Sequence, residues 1–262
     1  MNIIRYIAAA FSMYSKIPMP HFELTGKDCK RAILFLPLPG VIIASCVYIA
    51  DEFLCDTGLP LLVRVCVSIL IPVIITGGFH VDGYCDTVDA MCSLKSSKEK
   101  LSIMKDPHIG SFAVIGLGTA ALFAACGLGT IFGRMRSGAY PSRTMAAVSS
   151  VFVISRTLAA ATSLYMKKAK DDGMLAEETK IRDKTAFAAV AVWLVICIVF
   201  TACTGIFNFI AVWIAFLLFT AYYAYKTKKE FSGVTGDTAG YFVTAGEIAA
   251  IDAIALAALV FG

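Results

Sequence analysis

Apolar runs of about 20 residues recur along the whole chain and limit what it can fold into. One of them, AFAAVAVWLVICIVFTACTG at residues 186–205, contains no charged residue. Only 16% of the 262 residues are charged and the mean hydropathy is +0.77, whereas soluble domains carry about 25% charged residues. In lipid each helix satisfies its own backbone hydrogen bonds. These features predict an all-α, polytopic membrane protein in contact with the lipid bilayer.

We predict about seven transmembrane helices and an amphipathic N-terminal helix, within a single integral membrane domain covering residues 1–262. Pro37, Pro39 and Gly40 are expected to bend the first span, and Pro72 the second. The fourth span is the least secure because it contains Arg156, which is costly in a bilayer unless it faces a polar partner or cavity. The predicted spans cover residues 33–51, 59–77, 111–131, 145–165, 186–205, 207–225 and 242–261.

The distribution of Lys and Arg predicts the orientation. Most of the 23 Lys and Arg residues fall in the segments 1–32, 78–110, 166–185 and 226–241, which the positive-inside rule places on the cytoplasmic side. The late motif GDTAG would then meet the segment 78–110 at one membrane face. The net charge of +4 is spread over short loops rather than gathered in a patch, so nucleic acid is not expected as a partner.

The segment GGFHVDGYCDTVDAMCS, residues 77–93, places three acids directly after the second predicted span. Asp82, Asp86 and Asp89 have the spacing i, i+4, i+7, which brings them within about 60° of one another on a helix. Like charges at this spacing repel, so a cation is expected to bind there, and carboxylate oxygens suit Mg²⁺ or Mn²⁺. A solvated acidic helix face is the alternative. A zinc site of His80, Cys85 and Asp86 fits no strong zinc pattern.

Further polar residues are candidates for the same site. KLSIMKDPHIGSF, residues 100–112, offers Lys105 and His108 to a phosphate and Asp106 to a metal. Asp237 is a further candidate metal ligand at the start of the last span. Charged residues within apolar runs are further candidates: Arg156 is expected to face a diphosphate or an acid, Glu247 is either a functional acid or a packing partner, and Arg64 is expected to snorkel.

Together these motifs resemble the cobalamin synthase family, the adenosylcobinamide-GDP ribazoletransferases of bacteria and archaea. The resemblance rests on FSMYSKIPMP, RAILFLPLPG, TGGFHVDGYCDTVDA, IMKDPHIGSF, SRTLA and GDTAG, in this order along nearly the whole chain. The pattern H-x-D-G-x-x-D-x-x-D is the specific part, and the other blocks are individually weak. His108 stands where many members have Arg, and Ala113 where glycine is frequent, so the phosphate role of residues 106–113 stays open.

The resemblance implies a membrane-embedded, Mg²⁺-dependent enzyme. We expect it in the cell inner membrane, with its active site on the cytoplasmic side as the Lys and Arg distribution predicts. Such enzymes join adenosylcobinamide-GDP to α-ribazole or its 5′-phosphate and release GMP, forming adenosylcobalamin or its phosphate. Asp82, Asp86 and Asp89 would be the catalytic and metal-binding residues, with Asp106 and Asp237 as further metal ligands. His80, Lys105, His108 and Arg156 would bind substrate, and one carboxylate, Asp89 above all, would accept the proton of the attacking ribose 5′-hydroxyl. Homo-oligomerisation and complexes with other corrinoid enzymes are left open.

Two other functions remain as alternatives. CDP-alcohol phosphotransferases also cluster Asp residues at a membrane face, but their pattern D-x2-D-G-x2-A-R-x8-G-x3-D-x3-D contains an A-R pair that is absent here. A secondary transporter would place its acids near the bilayer midplane, within repeated broken helices. The acids here lie at the edge of a span, and no internal repeat is visible.

Overall fold

The computed structural model describes residues 3–20, 23–138, 143–170, 175, 177, 179, 181 and 183–261, and this part of the chain contains helices and no β-strand. The prediction of an all-α fold is confirmed. A 3-10 turn, Ile33–Phe35, precedes α3. The α-helices are α1 Ile3–Tyr14, α2 Gly26–Ala32, α3 Pro37–Cys55, α4 Leu61–Thr76, α5 Phe79–Cys92, α6 Ser97–Ile103, α7 Ser111–Arg136, α8 Thr144–Tyr165, α9 Lys184–Ala202, α10 Ile206–Phe231 and α11 Gly236–Phe261.

Six helices in the described part of the chain, α3 and α7 to α11, are long and apolar enough to cross a membrane. The remaining predicted span, 59–77, is α4, whose 16 residues extend about 24 Å and fall short of the ~30 Å hydrocarbon core. The axis of α5 is bent by 95° from that of α4, so the pair forms a broken element rather than a straight span. The first span begins at Pro37. Proline suits this first helical position, because its φ is already helical and the N–H that it lacks would have no partner within the helix.

The predicted fourth span, α8, is the central helix of the bundle. Its buried residues include Arg156, and it packs against α3, α9 and α11. A Cβ at Gly40 of α3 would lie 2.5 Å from the carbonyl oxygen of Phe152, so only glycine allows this approach between α3 and α8. An Arg-containing segment is stable at the centre because its side chain has polar partners there.

The prediction that Arg64 snorkels to the interface is wrong. Its side chain is buried and donates from Nε and Nη2 to Oδ1 of Asp51, at 3.0 and 2.7 Å. The guanidinium carbon also lies 4.7 Å from the ring centroid of Phe132. The ion pair with Asp51 and the aromatic face of Phe132 compensate the buried charge, so the side chain does not need to reach water.

The turn between α4 and α5 positions the acidic segment. Gly77 and Gly78 both have a left-handed backbone, with φ of 65° and 79°, which glycine adopts without strain. Their N–H groups bond to the carbonyl oxygens of Ile74 and Val73 and close the end of α4. The chain then leaves in a new direction. Helix α5, which is not one of the six full-length spans, packs against two of them, α7 and α11.

Candidate active site

Asp82 and Asp86 of α5 line a cleft of about 540 Å³ at the end of α4, here called the acidic cleft. The loop before α7 forms another wall with Asp106 and His108, and the segment after α1 completes the cleft. The other lining residues are Ser12, Met13, Ser15, Lys16, Thr76, Gly77, Gly78, Phe79, Val81, Cys85, Pro107 and Ile109. Two of the three acids of the predicted stripe therefore open onto one concave surface.

The start of α11 packs directly on α5 between these two acids. A Cβ at Gly83 would lie 2.8 Å from the carbonyl oxygen of Asp237 and 2.9 Å from its Cα. One turn later, a Cβ at Gly240 would lie 2.9 Å from the carbonyl oxygen of His80. The prediction that GDTAG meets the acidic segment is confirmed, and the facing glycines are the reason the two helices can approach so closely.

The acids of the cleft repel one another. Burial, reinforced by the charges of Asp82, Asp237 and Asp89, raises the pKa of Asp86 to about 6. Among the described residues, no three acids, histidines or cysteines are grouped so that they could hold a metal ion by themselves. A cation bound there would relieve the repulsion, and it would need oxygen ligands from a substrate or from water.

Asp89 turns toward the N-terminus of α7 and does not line the cleft. Its Oδ2 accepts a hydrogen bond from the Gly110 N–H at 2.7 Å, and its Oδ1 accepts one from the Ala113 N–H at 2.8 Å. These are N–H groups that a helix start leaves without intrahelical partners. Asp89 therefore joins α5 to α7 and fixes the loop that carries Asp106 and His108.

Asp106 and His108 reach the cleft, whereas Lys105 is exposed and does not line it. One Asp106 oxygen accepts the His108 backbone N–H at 3.0 Å and lies 2.7 Å from Nδ1 of the same residue. The backbone hydrogen bond and then the ring contact lower the pKa of Asp106. The pair holds its loop in a compact turn, with the exposed His108 ring at the mouth of the cleft.

Lys16 is a cation of the cleft that the sequence analysis did not identify. Its backbone N–H donates to the carbonyl oxygen of Ile75 at 2.8 Å, which ties the segment after α1 to the end of α4. Its side chain lies over Gly77, where a Cβ would come within 2.5 Å of it. Lys16 belongs to the motif FSMYSKIPMP, on which the family resemblance partly rests. Nothing in the sequence, however, places this motif beside residues 76–86.

Arg156 lies in the interior instead of at the cleft, with 1% of its surface exposed. Its Nη1 donates to Oε1 of Glu247 at 2.5 Å, and the Ser155 hydroxyl donates to the same oxygen at 2.7 Å. This pair and His80 line an inner cavity of about 260 Å³ between α4, α5, α7, α8 and α11. Glu247 is thus a packing partner of Arg156, one of the two roles that its sequence position allows.

Comparison with known proteins gives a consistent result. A family model described as cobalamin-5-phosphate synthase matches residues 6–255. Three relatives carry the name adenosylcobinamide-GDP ribazoletransferase. The relative from Lachnoclostridium phytofermentans is 34% identical over 98% of this chain and 95% of its own length. The relative from Clostridium perfringens strain 13 is 27% identical over 94% of this chain and 95% of its own length. The relative from Treponema denticola is 28% identical over 92% of this chain and 94% of its own length.

No solved structure is significantly similar to the chain. The family match covers nearly all of the sequence, including every residue that lines the acidic cleft. The protein therefore belongs to the cobalamin-5-phosphate synthase family.

Proposed function

We propose that the protein transfers the adenosylcobinamide phosphate group of adenosylcobinamide-GDP to α-ribazole or its 5′-phosphate and releases GMP. The products are adenosylcobalamin or its 5′-phosphate. Family membership and the names of relatives along the whole chain support this proposal. The acidic cleft at the end of α4 is the observation that carries it, because a nucleotide diphosphate needs cationic neutralisation at a concave site beside the membrane.

Mg²⁺ fits the residues of the cleft. Asp82 and Asp86 offer carboxylate oxygens one helical turn apart, and the described part of the chain supplies no complete metal cage. Mg²⁺ is usually held by one or two carboxylates together with substrate phosphates and water. When bound, it would neutralise charge on the diphosphate and on the departing GMP. Asp237, behind Gly83, is a further candidate ligand.

The chain's own residues would hold the diphosphate from two sides. Lys16 supplies a positive charge from the segment after α1, and His108 offers a ring nitrogen from the loop before α7. Asp89 fixes that loop through Gly110 and Ala113, so we assign it a positioning role in place of direct proton acceptance. Alignment and charge neutralisation supply most of the rate enhancement in phosphoryl transfer.

The attacking group is a ribose hydroxyl other than the 5′-hydroxyl expected from the sequence, because the 5′ oxygen is already esterified in α-ribazole 5′-phosphate, the other proposed acceptor. The oxygen–phosphorus bond to ribazole forms while the bond to GMP breaks, and the hydroxyl proton passes to a carboxylate of the cleft. We further propose that the cleft faces the cytoplasm and that the protein resides in the cell inner membrane. The concentration of Lys and Arg in 1–32 and 78–110, the segments that build the cleft, supports this orientation.

The test is GMP release by the purified protein with adenosylcobinamide-GDP, α-ribazole and Mg²⁺. We expect release to need all three components and to fall by about 100-fold or more in Asp86→Asn. Asp56→Asn, a change in an exposed acid beyond the far end of α3, is the matched control and should retain full activity. Folded protein that releases no GMP, or an Asp86→Asn variant with full activity, would refute the proposal.

A further inference from the structure

The inner cavity behind α5 contains two buried nitrogen atoms without hydrogen-bond partners among the described residues. They are Nε2 of His80 and Nε of Arg156, and both residues line the cavity. His80 is 6% exposed and Arg156 is 1% exposed. Burying an unpartnered polar group is costly, so two of them beside one cavity indicate a polar atom that the cavity is built to receive.

The cavity adjoins the acidic cleft across α5. Thr76 and Val81 line both spaces. His80 and Asp82 lie two residues apart and point to opposite sides of the helix, so His80 faces the cavity while Asp82 faces the cleft. A ligand at this junction could place one part in the cavity and another beside Asp82 and Asp86.

The volume and lining of the cavity select the class of ligand. About 260 Å³ accommodates one bicyclic aromatic ring system and is too small for a corrin macrocycle. The walls are mainly apolar and include Leu117, Ala124, Leu128 and Val243. A lipid acyl chain would fill this space but has no atom that could accept a hydrogen bond from the Arg156 Nε–H.

The charges around the cavity disfavour an anion. The Arg156 guanidinium is already paired with Glu247 through a 2.5 Å contact. A neutral ring that carries an acceptor nitrogen therefore matches the cavity better than a phosphate does.

We propose that the inner cavity is the subsite for the benzimidazole base of the nucleoside acceptor, an inference that rests on the proposed function. The unsubstituted ring nitrogen of the base accepts a hydrogen bond from the Nε–H of Arg156. The methylated edge of the base packs among the apolar walls. The ribose then lies at the junction of Thr76 and Val81, with its reacting hydroxyl in the acidic cleft. His80 is a binding residue at this junction, on the inner face of α5.

Filling the cavity tests the proposal. Ala124→Leu adds apolar volume to the cavity wall, and Cys126→Leu adds it on the exposed face of the same helix. Binding of α-ribazole to each variant is followed by the fluorescence of its base, without donor or Mg²⁺. We expect the Kd to rise about tenfold or more in Ala124→Leu and to stay within about twofold of the wild type in Cys126→Leu.

Steady-state kinetics give the second measurement. In Ala124→Leu the KM for α-ribazole should rise about tenfold, while the KM for adenosylcobinamide-GDP stays within about twofold. The riboside of unmethylated benzimidazole, which is smaller, should lose less affinity. Should Ala124→Leu fail to fold, Ala121→Phe on the exposed rim narrows the same cavity and should have the same effect.

The outcomes separate this inference from the proposed function. An active wild type whose filled variants bind α-ribazole with unchanged Kd would overturn the cavity assignment and leave the transferase activity intact. Equal rises in the KM of donor and acceptor would overturn it too, because the change would then act on the whole site. Binding of α-ribazole that is sensitive to Ala124→Leu, in a wild type that releases no GMP, would support the cavity and contradict the transferase.

Discussion

Gly83 of α5 lies against Asp237 of α11 so closely that a Cβ on the glycine would come within 2.8 Å of the Asp237 carbonyl oxygen. Gly83→Ala should therefore push the two helices apart between Asp82 and Asp86. Overpacking costs about 1–3 kcal/mol, and we expect a lower melting temperature and about tenfold or greater loss of GMP release. Gly118→Ala is the control, since a Cβ there meets nothing within 4 Å. Equal stability and activity of both variants would show that the contact is not tight.

Asp89 holds the start of α7 through the Gly110 and Ala113 N–H groups. Asp89→Ala should cost about 1–2 kcal/mol of stability, as the loss of a helix cap does, and should reduce the maximal rate. The Mg²⁺ concentration for half-maximal activity should stay unchanged, whereas Asp82→Ala should raise it. A large rise of this concentration in Asp89→Ala would restore the role of metal ligand that the sequence suggests.

Lys16 and Lys105 offer a direct comparison between the structure and the sequence. Lys16 lines the acidic cleft and Lys105 does not. Lys16→Ala should raise the KM for adenosylcobinamide-GDP about tenfold, because one charge-assisted contact to the diphosphate is lost. Lys105→Ala should change it by less than about twofold. The reverse order of effects would mean that the loop before α7 moves onto the substrate.

The buried Arg156–Glu247 pair is expected to stabilise the fold. Removing one partner leaves an uncompensated buried charge, so Glu247→Leu should destabilise the fold by about 3–5 kcal/mol. The double variant Arg156→Met/Glu247→Leu should recover much of this loss. Thermal unfolding of the single and double variants in detergent provides the measurement, and additive losses would contradict a direct pair.

The Asp51–Arg64 pair lies where the C-terminal end of α3 meets α4, away from the cleft, and separates stability from catalysis. Asp51→Leu should lower the melting temperature for the same reason as Glu247→Leu. In the fraction that remains folded, the KM values for both substrates should not change. A selective rise in either KM would show that this end of the bundle communicates with the cleft.

Some of the site followed directly from local sequence. The spacing of Asp82 and Asp86 places them on one helix face whatever the rest of the chain does, because the helical repeat is a local property. The apolar runs likewise predict helices and a membrane, since lipid leaves the backbone few other ways to satisfy its hydrogen bonds. The bends predicted at Pro37–Gly40 and at Pro72 do not include the break at Gly77–Gly78, whose angle of 95° depends on how α5 packs against α7 and α11.

The sequence by itself determined an all-α membrane protein with an acidic motif directly after an apolar segment that was predicted to span the membrane. Only the tertiary structure decided which polar residues share a space. It brings Lys16 to the cleft from more than 50 positions away, turns Asp89 toward α7, and pairs Arg156 with Glu247 in the interior. Spacing along a chain specifies the face of one helix, whereas the partner of a buried charge depends on how separate helices pack, which no local pattern encodes.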